Sequence, residues 1–255
     1  AEFDTKEKIL QAAKREFAEC GFSGARVDAV ARRARVNKAL VHYYFNSKEE
    51  LYRQVRSRFL GIGRKGDMVI VFPAVDLTPS QKLYFALYYL VKIHLKVRDR
   101  DIFRIFFWEI AEGSQLHEEA SREHRLPQAQ LLERIICEGI DSGEFEVSNP
   151  RLLVMFMLSF LNMYVVESEF YKGSGFFREL YGDARDDEVL NFFMAMVFRC
   201  LNKDAQSNMP SLPVEIIRIA DEIIERVVKN IGEGYYATAF QKISEYVAGM
   251  PPSKQ

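Results

Sequence analysis

Two short helical patterns near the N-terminus are joined by a very tight connection, which constrains the fold more than any other feature of the sequence. The first pattern, VDAVARRA, spaces its apolar residues as on one face of an amphipathic helix. Only Val36 and Asn37 separate it from the second, in which Val41 and Phe45 lie four apart and share a face. Asn37 can accept a hydrogen bond from a free amide at the helix start and is the predicted N-cap. These elements predict a helix-turn-helix.

The outward side of the second short helix carries groups that suit a DNA groove. Lys38, Ala39, His42 and Tyr43 point away from the face predicted to be buried. They supply a cation, a small residue that permits close approach, and two rings that can form hydrogen bonds. A short helix of this kind, directly after a tight turn, is typical of one that enters the major groove. Lys38 and His42 can donate to guanine, whereas the tyrosine suits phosphates and thymine methyl groups.

Helical patterns also precede and follow the helix-turn-helix. The first runs from Asp4, where a glutamate three residues later gives the spacing of a capping box, to Gly21. Asn46 and Ser47 are predicted to cap a fourth helix that has Lys48 in its first turn. Positive charge near a helix N-terminus is unfavourable by itself. We therefore expect Lys48 and the free amides to bind a phosphate together.

The charge of the chain is divided between a basic N-terminal part and an acidic remainder. Residues 1–66 hold 15 lysines and arginines against 8 acidic residues, a net charge of +7. The whole chain has 35 basic and 36 acidic residues, so the remainder has 20 against 28, a net charge of −8. The division favours a polyanion as partner of the N-terminal part. A basic face that is merely solvated is the alternative.

Residues 4–60 resemble the DNA-binding domain of TetR-family transcriptional regulators. The resemblance rests on Gly21-Phe22 at the end of the first helix, on VDAVARRA, on NKALVHYYF, and on SKEEL at the head of the fourth helix. All of them occur in the family's order and spacing. The resemblance implies an all-α protein with a three-helix helix-turn-helix domain at 1–60. It also implies a larger helical effector-binding and dimerisation domain, which here would occupy 61–255. The helices predicted from about residue 210 are additional to that family pattern.

The resemblance also implies which residues contact DNA, and the chain departs from the family pattern in three places. Ala25-Arg26 replaces the frequent Thr-Thr, which removes a hydroxyl cap and makes Arg26 an expected phosphate contact. Arg35 stands where the family usually has Gly in the turn, so the conformation of this turn is open. Ala39-Leu40 replaces a frequent Gly-Thr, so we expect a different base preference. The predicted DNA-binding residues are Arg26, Asn37, Lys38, Ala39, His42, Tyr43, Tyr44 and Lys48.

From Pro79 onward, the sequence predicts helices almost throughout. By analogy with the family, the segments 151–171 and 186–202 are the expected dimer interface. The helices beyond Pro210 exceed the usual family length. Two roles are open for them, namely to extend the interface or to cover the effector pocket. The apolar run from Leu152 is broken by polar residues, so it predicts a buried helix rather than a membrane span. The strand-like run MVIVF is left unassigned.

The body of the chain is rich in aromatic residues, which suits two interpretations. One is an aromatic-lined cavity for a small hydrophobic or aromatic effector. The other is ordinary core packing. Glu109 is notable because it interrupts an apolar face, although a solvated glutamate would do the same. The candidate effector-binding residues are Tyr88, Trp108, Glu109, Met163 and Tyr164.

The sequence shows no catalytic nucleophile motif, phosphate-binding loop or paired-carboxylate site, and we expect no enzyme activity, cofactor or metal. His117 and His124, seven residues apart, are too few ligands to predict a metal site. Three widely spaced cysteines favour a reducing cytoplasm. We predict a homodimeric, ligand-responsive regulator, most simply a repressor that binds a palindromic operator. The alternative is a helical ligand-binding protein or enzyme with a vestigial basic domain.

Overall fold

The structure is a computed structural model that describes residues 2–60, 76–113, 115–201 and 210–233. Over these residues the chain forms α-helices and no β-strand, which confirms the all-α prediction. The helices are α1 (Glu2–Gly24), α2 (Val27–Ala34), α3 (Lys38–Phe45), α4 (Lys48–Leu60), α5 (Pro79–Lys96), α6 (Arg100–Ala111), α7 (Gln115–Ala120), α8 (Leu126–Asp141), α9 (Pro150–Phe170), α10 (Gly175–Tyr181), α11 (Asp186–Leu201) and α12 (Val214–Glu233). A π-helical turn, Ser121–Arg125, joins α7 to α8. The MVIVF run and the last predicted helix, YYATAFQKISEYVAG, lie outside the described residues.

The chain folds as two compact units. The first consists of the described residues within 1–67 and 99–125, and therefore holds α1–α4, α6 and α7. The second consists of those within 68–98 and 126–255, and holds α5 and α8–α12. The first unit thus includes more than the segment 1–60, because α6 packs along α1.

Helices α1 and α6 approach so closely that only glycine fits at one point. Gly21 has φ 68° and ψ 178°, which bends α1 at the predicted helix end, although the helix continues to Gly24. A Cβ atom at Gly21 would lie 2.5 Å from Glu112 Oε1 and 3.0 Å from the Trp108 ring. A side chain at this position would therefore displace the Glu112 carboxylate and the Trp108 ring, and the positive φ would strain it in addition.

The predicted capping box at the start of α1 is wrong. The helix already begins at Glu2, so Asp4 lies inside it, where its carboxylate pairs with Lys8 Nζ at 2.6 Å. Glu7 pairs with Arg58 of α4 instead, with 3.0 Å between Oε2 and Nε. An acidic residue can cap a helix or pair with a lysine one turn later, and the spacing of the sequence fits both.

The predicted apolar face of α1 forms part of the core of the first unit. Phe17 is fully buried, and its ring meets that of Tyr52 from α4 edge to face at a centroid distance of 4.7 Å. Phe22 meets the same tyrosine ring at 5.0 Å. This aromatic group fixes α4 against α1, so the start of α4 is held beside the helix-turn-helix.

Helix α5 is at the centre of the second unit and packs against α8, α9, α11 and α12. Thr78 caps it through a full capping box with Gln81, and Pro79 occupies the first turn. Ten of its 18 residues are buried, so the helix is apolar around most of its circumference. Such a helix is stable only when neighbouring helices cover it.

Helix α12 is one of the neighbours that cover α5. Its buried side consists of Ile216, Ile219, Ala220, Ile223 and Ile224. Asp221 on the same helix accepts a hydrogen bond from Tyr88 Oη of α5 at 2.9 Å and lies 3.4 Å from Lys92 Nζ. Burial and the nearby Asp221 carboxylate raise the pKa of Tyr88. The segment beyond Pro210 therefore completes the core of the second unit.

Helix α9 is buried on one side only, so the prediction of a buried helix is correct for that side alone. Val154, Leu158 and Leu161 lie in the core, whereas Leu152 and Phe156 are 64% and 65% exposed. By length and composition alone α9 could cross a membrane, and 39% of its most apolar window is buried within the chain. A core helix of a soluble protein meets the same criteria, so this is weak evidence for a span.

Helix α10 was not predicted from the sequence. It is a seven-residue helix between glycines, and none of its residues is buried. Phe177 and Tyr181 contact the ring of Tyr164 on α9, with centroid distances of 5.6 and 5.4 Å. Tyr181 Oη also donates to Glu167, and this bond raises the pKa of Tyr181 to about 12. Contacts with α9, rather than an amphipathic pattern, hold α10 in place.

Candidate nucleic-acid interface

The structure contains the predicted helix-turn-helix, formed by α2 and α3. Asn37 Oδ1 accepts a hydrogen bond from Leu40 N–H at 2.7 Å, which confirms the predicted N-cap of α3. Val41 and Phe45 are 2% and 1% exposed and anchor α3 to the core of the first unit. Because these two residues fix the rotation of α3 about its axis, they determine which side chains face solvent.

The solvent face of α3 carries the predicted contact residues. Lys38, Ala39, His42 and Tyr43 are all exposed, and the Tyr43 side chain is 73% accessible. Tyr44 is only partly buried and packs against the core, with its ring edge-on to that of Tyr43 at 5.3 Å. The Tyr44 ring thereby supports the Tyr43 ring from behind. The face combines a cation, a methyl group and two rings, as the sequence predicted.

Asp28 of α2 faces the first residue of α3. Its Oδ1 lies 3.0 Å from Lys38 Nζ, and both side chains are about half exposed. The hydrogen bond and charge of Lys38, with smaller effects from Arg32 and His42, hold the pKa of Asp28 below its usual range. An acidic group therefore lies at the edge of the basic face, where it partly neutralises the charge of Lys38.

Lys48 lies at the head of α4, beside the end of α1. Its Nζ donates to the Ser23 carbonyl at 3.3 Å and lies 4.7 Å from the centre of the Phe22 ring. Ser47 Oγ caps α4 by accepting from Glu50 N–H at 3.1 Å, which confirms the predicted role of Ser47. Asn46 instead ends α3 as its C-cap. The lysine head remains partly accessible, so an anion could approach it.

Arg26 is held through its backbone N–H and His42 through one ring nitrogen, so neither contact involves the Arg26 guanidinium or the second nitrogen of His42. Arg26 is the N-cap residue of α2 but gives it no side-chain cap, and its own N–H donates to Glu16 at 3.3 Å. His42 Nδ1 lies 3.3 Å from the Asn46 carbonyl oxygen. A carbonyl only accepts, so Nδ1 carries the hydrogen in this contact. The other ring nitrogen, Nε2, takes no part in this contact, and the His42 side chain is exposed to solvent.

The predicted effector residues are divided between the two units. Trp108 and Glu109 belong to the first, where Trp108 Nε1 donates to the Ala18 carbonyl at 3.2 Å. Tyr88, Met163 and Tyr164 belong to the second. There the two tyrosines are buried, whereas Met163 is 46% exposed. Four of the five side chains thus have packing or hydrogen-bonding partners within their own unit.

Glu109 is buried rather than solvated and joins α6 to α4. It is 3% exposed, and its Oε1 accepts from Tyr52 Oη at 2.8 Å and lies 3.0 Å from Arg56 Nε. Its Oε2 is 3.4 Å from His117 Nδ1. Burial, with Glu109 as a second cause, raises the pKa of Tyr52. The carboxylate that interrupts the apolar face of α6 is therefore part of a buried polar cluster.

Helices α9 and α11 together expose a broad apolar surface. Between them lies a groove of about 200 Å³ with an entirely apolar lining. The residues that line it are Leu153, Phe156, Met157, Phe160, Phe192, Phe193, Met196, Val197 and Cys200. Phe192 is 60% exposed and Met196 is 40% exposed. An exposed apolar surface of this kind marks an interaction site. We call it the α9/α11 face.

Two features of these surfaces were not found from the sequence. Asp28 was not singled out because a lone acidic residue in a basic segment has no distinctive spacing. The groove itself was not found, because its phenylalanines recur at helical spacing, which is also the signature of core residues; only the family analogy pointed to the segments 151–171 and 186–202 as an interface. Among the described residues, no group of His, Cys, Asp and Glu is arranged to hold a metal ion. All three cysteines are free and exposed.

Two family models match the chain. The model described as "Bacterial regulatory proteins, tetR family" matches residues 9–55, which include α2 and α3. The model described as "Tetracyclin repressor-like, C-terminal domain" matches residues 76–165, from the start of α5 into α9. The two matches follow the order predicted from the sequence, with the helix-turn-helix first and a helical body after it.

Relatives and solved structures agree with these matches. The HTH-type transcriptional repressor SCO4008 of Streptomyces coelicolor is 30% identical over 156 residues, which cover 60% of this chain and 74% of that protein. The transcriptional regulator RutR of Escherichia coli is 44% identical over 57 residues, 22% of this chain and 27% of RutR. HlyIIR, a hemolysin II transcriptional regulator of known structure, has a TM-score of 0.53 at 22% identity. That alignment covers 80% of this chain and all of HlyIIR, and shows a shared fold. These proteins are regulators rather than enzymes, and this chain belongs to the TetR family of DNA-binding transcriptional regulators.

Proposed function

We propose that the protein is a ligand-responsive repressor that binds a palindromic operator as a homodimer in the cytoplasm. Each subunit places α3 in the major groove, and the two subunits contact two half-sites of one duplex. A small apolar or aromatic effector releases the protein from DNA. The Streptomyces relative SCO4008 is a repressor, which supports this direction of regulation.

One observation carries the DNA-binding part of the proposal, namely the exposed polar face of α3 on a helix whose rotation is fixed by Val41 and Phe45. Lys38 and His42 are proposed to donate to base edges, whereas Tyr43 contacts phosphate and thymine methyl groups. Lys48 and the first amides of α4 bind a phosphate that sets the position of the domain. The proposed contact residues are Arg26, Asn37, Lys38, Ala39, His42, Tyr43, Tyr44 and Lys48.

The α9/α11 face supports the dimer. Phe156 and Phe192 are large apolar side chains that a monomer would leave in water, at a cost that grows with their exposed area. A second copy of the chain presents the same face, and a two-fold axis allows each face to cover the other. The groove between α9 and α11 then receives side chains of the partner.

The effector is proposed to act by changing the separation of the two recognition helices. Both helices must fit one rigid duplex at the same time, so a small displacement is sufficient to weaken binding. The coupling is reciprocal, and operator DNA must therefore weaken effector binding by the same factor. Tyr88, Met163 and Tyr164, all of the second unit, are the proposed effector contacts, whereas Trp108 and Glu109 are engaged within the first unit. Binding of a candidate effector to the free protein and to its DNA complex, measured by calorimetry, tests this coupling.

Selection of bound duplexes from a random pool at moderate salt, followed by sequencing, tests the proposal as a whole. Recovery of an inverted repeat would support both the dimer and the regulator, and would supply the operator for effector screening. Binding without enrichment that disappears as salt rises would contradict it, because counterion release alone explains such affinity.

A double variant tests the orientation of α3. Lys38→Ala with Tyr43→Ala should abolish binding to the selected duplex and leave the circular dichroism spectrum unchanged, because both side chains are exposed. The control, Phe176→Ala with Arg178→Ala, removes one exposed ring and one exposed cation from α10 of the second unit, outside the segments expected to form the dimer interface. Normal operator binding by the first variant would show that another face of α3 meets the DNA.

A further inference from the structure

The turn into the recognition helix contains a side chain in a conformation that favours glycine. Arg35 has φ 57° and ψ 43°, in the left-handed region, and is exposed. A Cβ atom in this region lies too close to the neighbouring carbonyl oxygen, and glycine avoids the conflict. The fold would therefore be served at least as well by glycine at this position.

The backbone hydrogen bonds around Arg35 show that the left-handed conformation is required. Val36 N–H donates to the Ala31 carbonyl at 3.0 Å, and Arg35 N–H donates to the Arg32 carbonyl at 3.1 Å. These two bonds form the Schellman motif that closes a helix, and Arg35 occupies the position at which glycine is usual. Val36 packs against the core of the first unit. The turn cannot adopt another conformation without losing both bonds and this contact.

Other positions of the described chain show how unusual this residue is. Positive φ angles otherwise occur at five glycines and at one asparagine, a residue type that tolerates them. The asparagine is Asn46, at the C-terminal end of α3, so the two exceptions flank the recognition helix. Strained residues of this kind cluster at functional sites. Since the backbone alone would favour glycine, a function of the Arg35 side chain would account for the arginine.

The charge of Arg35 is available to a ligand. Two nearby cations are engaged, since Arg33 lies 2.6 Å from Glu19 and Lys38 lies 3.0 Å from Asp28. None of the described carboxylates lies within ion-pair distance of Arg35. In helix-turn-helix docking, the first helix crosses the DNA backbone and the N-terminal residues of the second reach the base edges. The turn between them passes beside a phosphate strand, within reach of a long side chain.

We propose that Arg35 binds a DNA backbone phosphate beside the major groove, and that this contact is the reason for an arginine in a glycine position. The proposal rests on the proposed docking of α3. A guanidinium offers several N–H donors to phosphate oxygens and needs no particular base. Arg35 therefore contributes affinity and position but no discrimination between sequences.

The test compares Arg35→Gly and Arg35→Lys with the wild-type chain. Binding to the selected duplex and to a scrambled duplex of equal length is measured by fluorescence anisotropy between about 50 and 200 mM salt. We expect Arg35→Gly to bind both duplexes several-fold more weakly, with a salt slope lower by about 1 per subunit. Its melting temperature should be unchanged or higher, since glycine suits the turn. Arg35→Lys should retain most of the slope because it keeps the charge.

A matched control removes one exposed arginine from the same unit. Arg122 is 70% exposed and pairs with Glu118, so Arg122→Gln changes the net charge equally without touching the turn. An unchanged salt slope for Arg35→Gly would overturn the proposal, as would an equal effect of Arg122→Gln. Weakening on the selected duplex alone would also overturn it, because that result means base recognition. If the wild-type chain binds no duplex, the proposed docking of α3 is contradicted, and the Arg35 contact that depends on it is contradicted too. Specific binding by the wild type with no effect of Arg35→Gly would contradict the Arg35 contact alone.

Discussion

The first unit buries charged side chains, whereas the second exposes apolar ones. Glu16, Arg56 and Glu109 are all at most 6% exposed in the first unit. In the second, Phe156 and Phe192 are at least 60% exposed. Both patterns oppose the usual distribution of residues, in which buried charges and large exposed apolar patches are rare.

The two patterns differ in where the compensating groups are found. The buried charges of the first unit are compensated within the chain, since Glu109 contacts both Arg56 and Tyr52. The exposed rings of the second unit have no comparable cover among the described residues. The first unit thus neutralises its buried charges internally, whereas the exposed rings of the second are the ones that the proposed dimer would cover. Changing either group of residues tests this difference.

The largest effect is expected from a charge placed on the α9/α11 face. Phe156→Glu should convert the dimer to a monomer, because a carboxylate cannot be buried against an apolar partner surface without a large desolvation cost. Loss of the second recognition helix should then lower affinity for the selected duplex by about a hundredfold or more. Sedimentation velocity gives the mass, and anisotropy gives the affinity.

A matched control for this variant lies on α12. Val214 is an isolated apolar residue, 84% exposed and outside the groove, so Val214→Glu adds the same charge without entering the α9/α11 face. We expect it to leave both mass and affinity unchanged. A dimeric Phe156→Glu protein would show that the exposed rings serve another purpose, and the contrast between the units would no longer hold.

The same contrast explains how much could be predicted from the sequence. The N-cap at Asn37 and the buried pair Val41 and Phe45 follow from local spacing, because a helix-turn-helix is fixed by contacts over few residues. The burial of Glu109 could not be predicted, since its partners lie more than fifty positions earlier in the chain. The left-handed conformation of Arg35 was left open, as the residue type alone argues against it.

The next largest effect is expected in the core of the first unit. Glu109→Ala leaves Arg56 buried without its carboxylate, which should lower the free energy of unfolding by about 3 to 5 kcal/mol. Urea denaturation measures this change. Glu118→Ala is the control, because its pair with Arg122 is exposed and contributes at most about 1 kcal/mol. Equal losses in the two variants would mean that the buried cluster is not a special feature of the first unit.

A smaller effect is expected where an acidic residue meets the recognition helix. Asp28→Asn releases Lys38 and removes a negative charge that faces the DNA, so binding to a scrambled duplex should strengthen several-fold. Its salt slope should rise by about 0.9 per subunit if the freed lysine meets a phosphate. Stability should hardly change, since both side chains of the pair are half exposed and solvent screens their interaction. Anisotropy and urea denaturation measure the two quantities.

The control for Asp28→Asn is Asp4→Asn, which releases Lys8 from an exposed pair in α1 and changes the net charge equally. Affinity for the scrambled duplex should not change in this variant. If both variants strengthen binding to the same extent, the effect comes from net charge, and Asp28 has no particular influence on the recognition helix.

The smallest effect is expected at His94 in the second unit, where a titratable ring lies on the mostly apolar helix α5. Its Nδ1 donates to the Leu90 carbonyl at 2.8 Å, and burial lowers the pKa of His94. The unfolded chain takes up a proton near pH 6.5, whereas the folded chain does so only at lower pH. Stability should therefore fall as the pH drops below about 6.5, with no contribution from His94 above it.

The variant His94→Gln separates this contribution from that of other groups. Glutamine cannot take up the proton. The free energy of unfolding of the variant, relative to that of the wild type, should therefore be constant from pH 7.5 down to about 6.5 and should rise as the pH falls further towards 5. Urea denaturation at several pH values gives the difference directly. Parallel curves for the two proteins would mean that His94 is protonated equally in the folded and unfolded chains. The second unit would then tolerate a charge at a half-buried position of α5, and buried charge would no longer distinguish the first unit from the second.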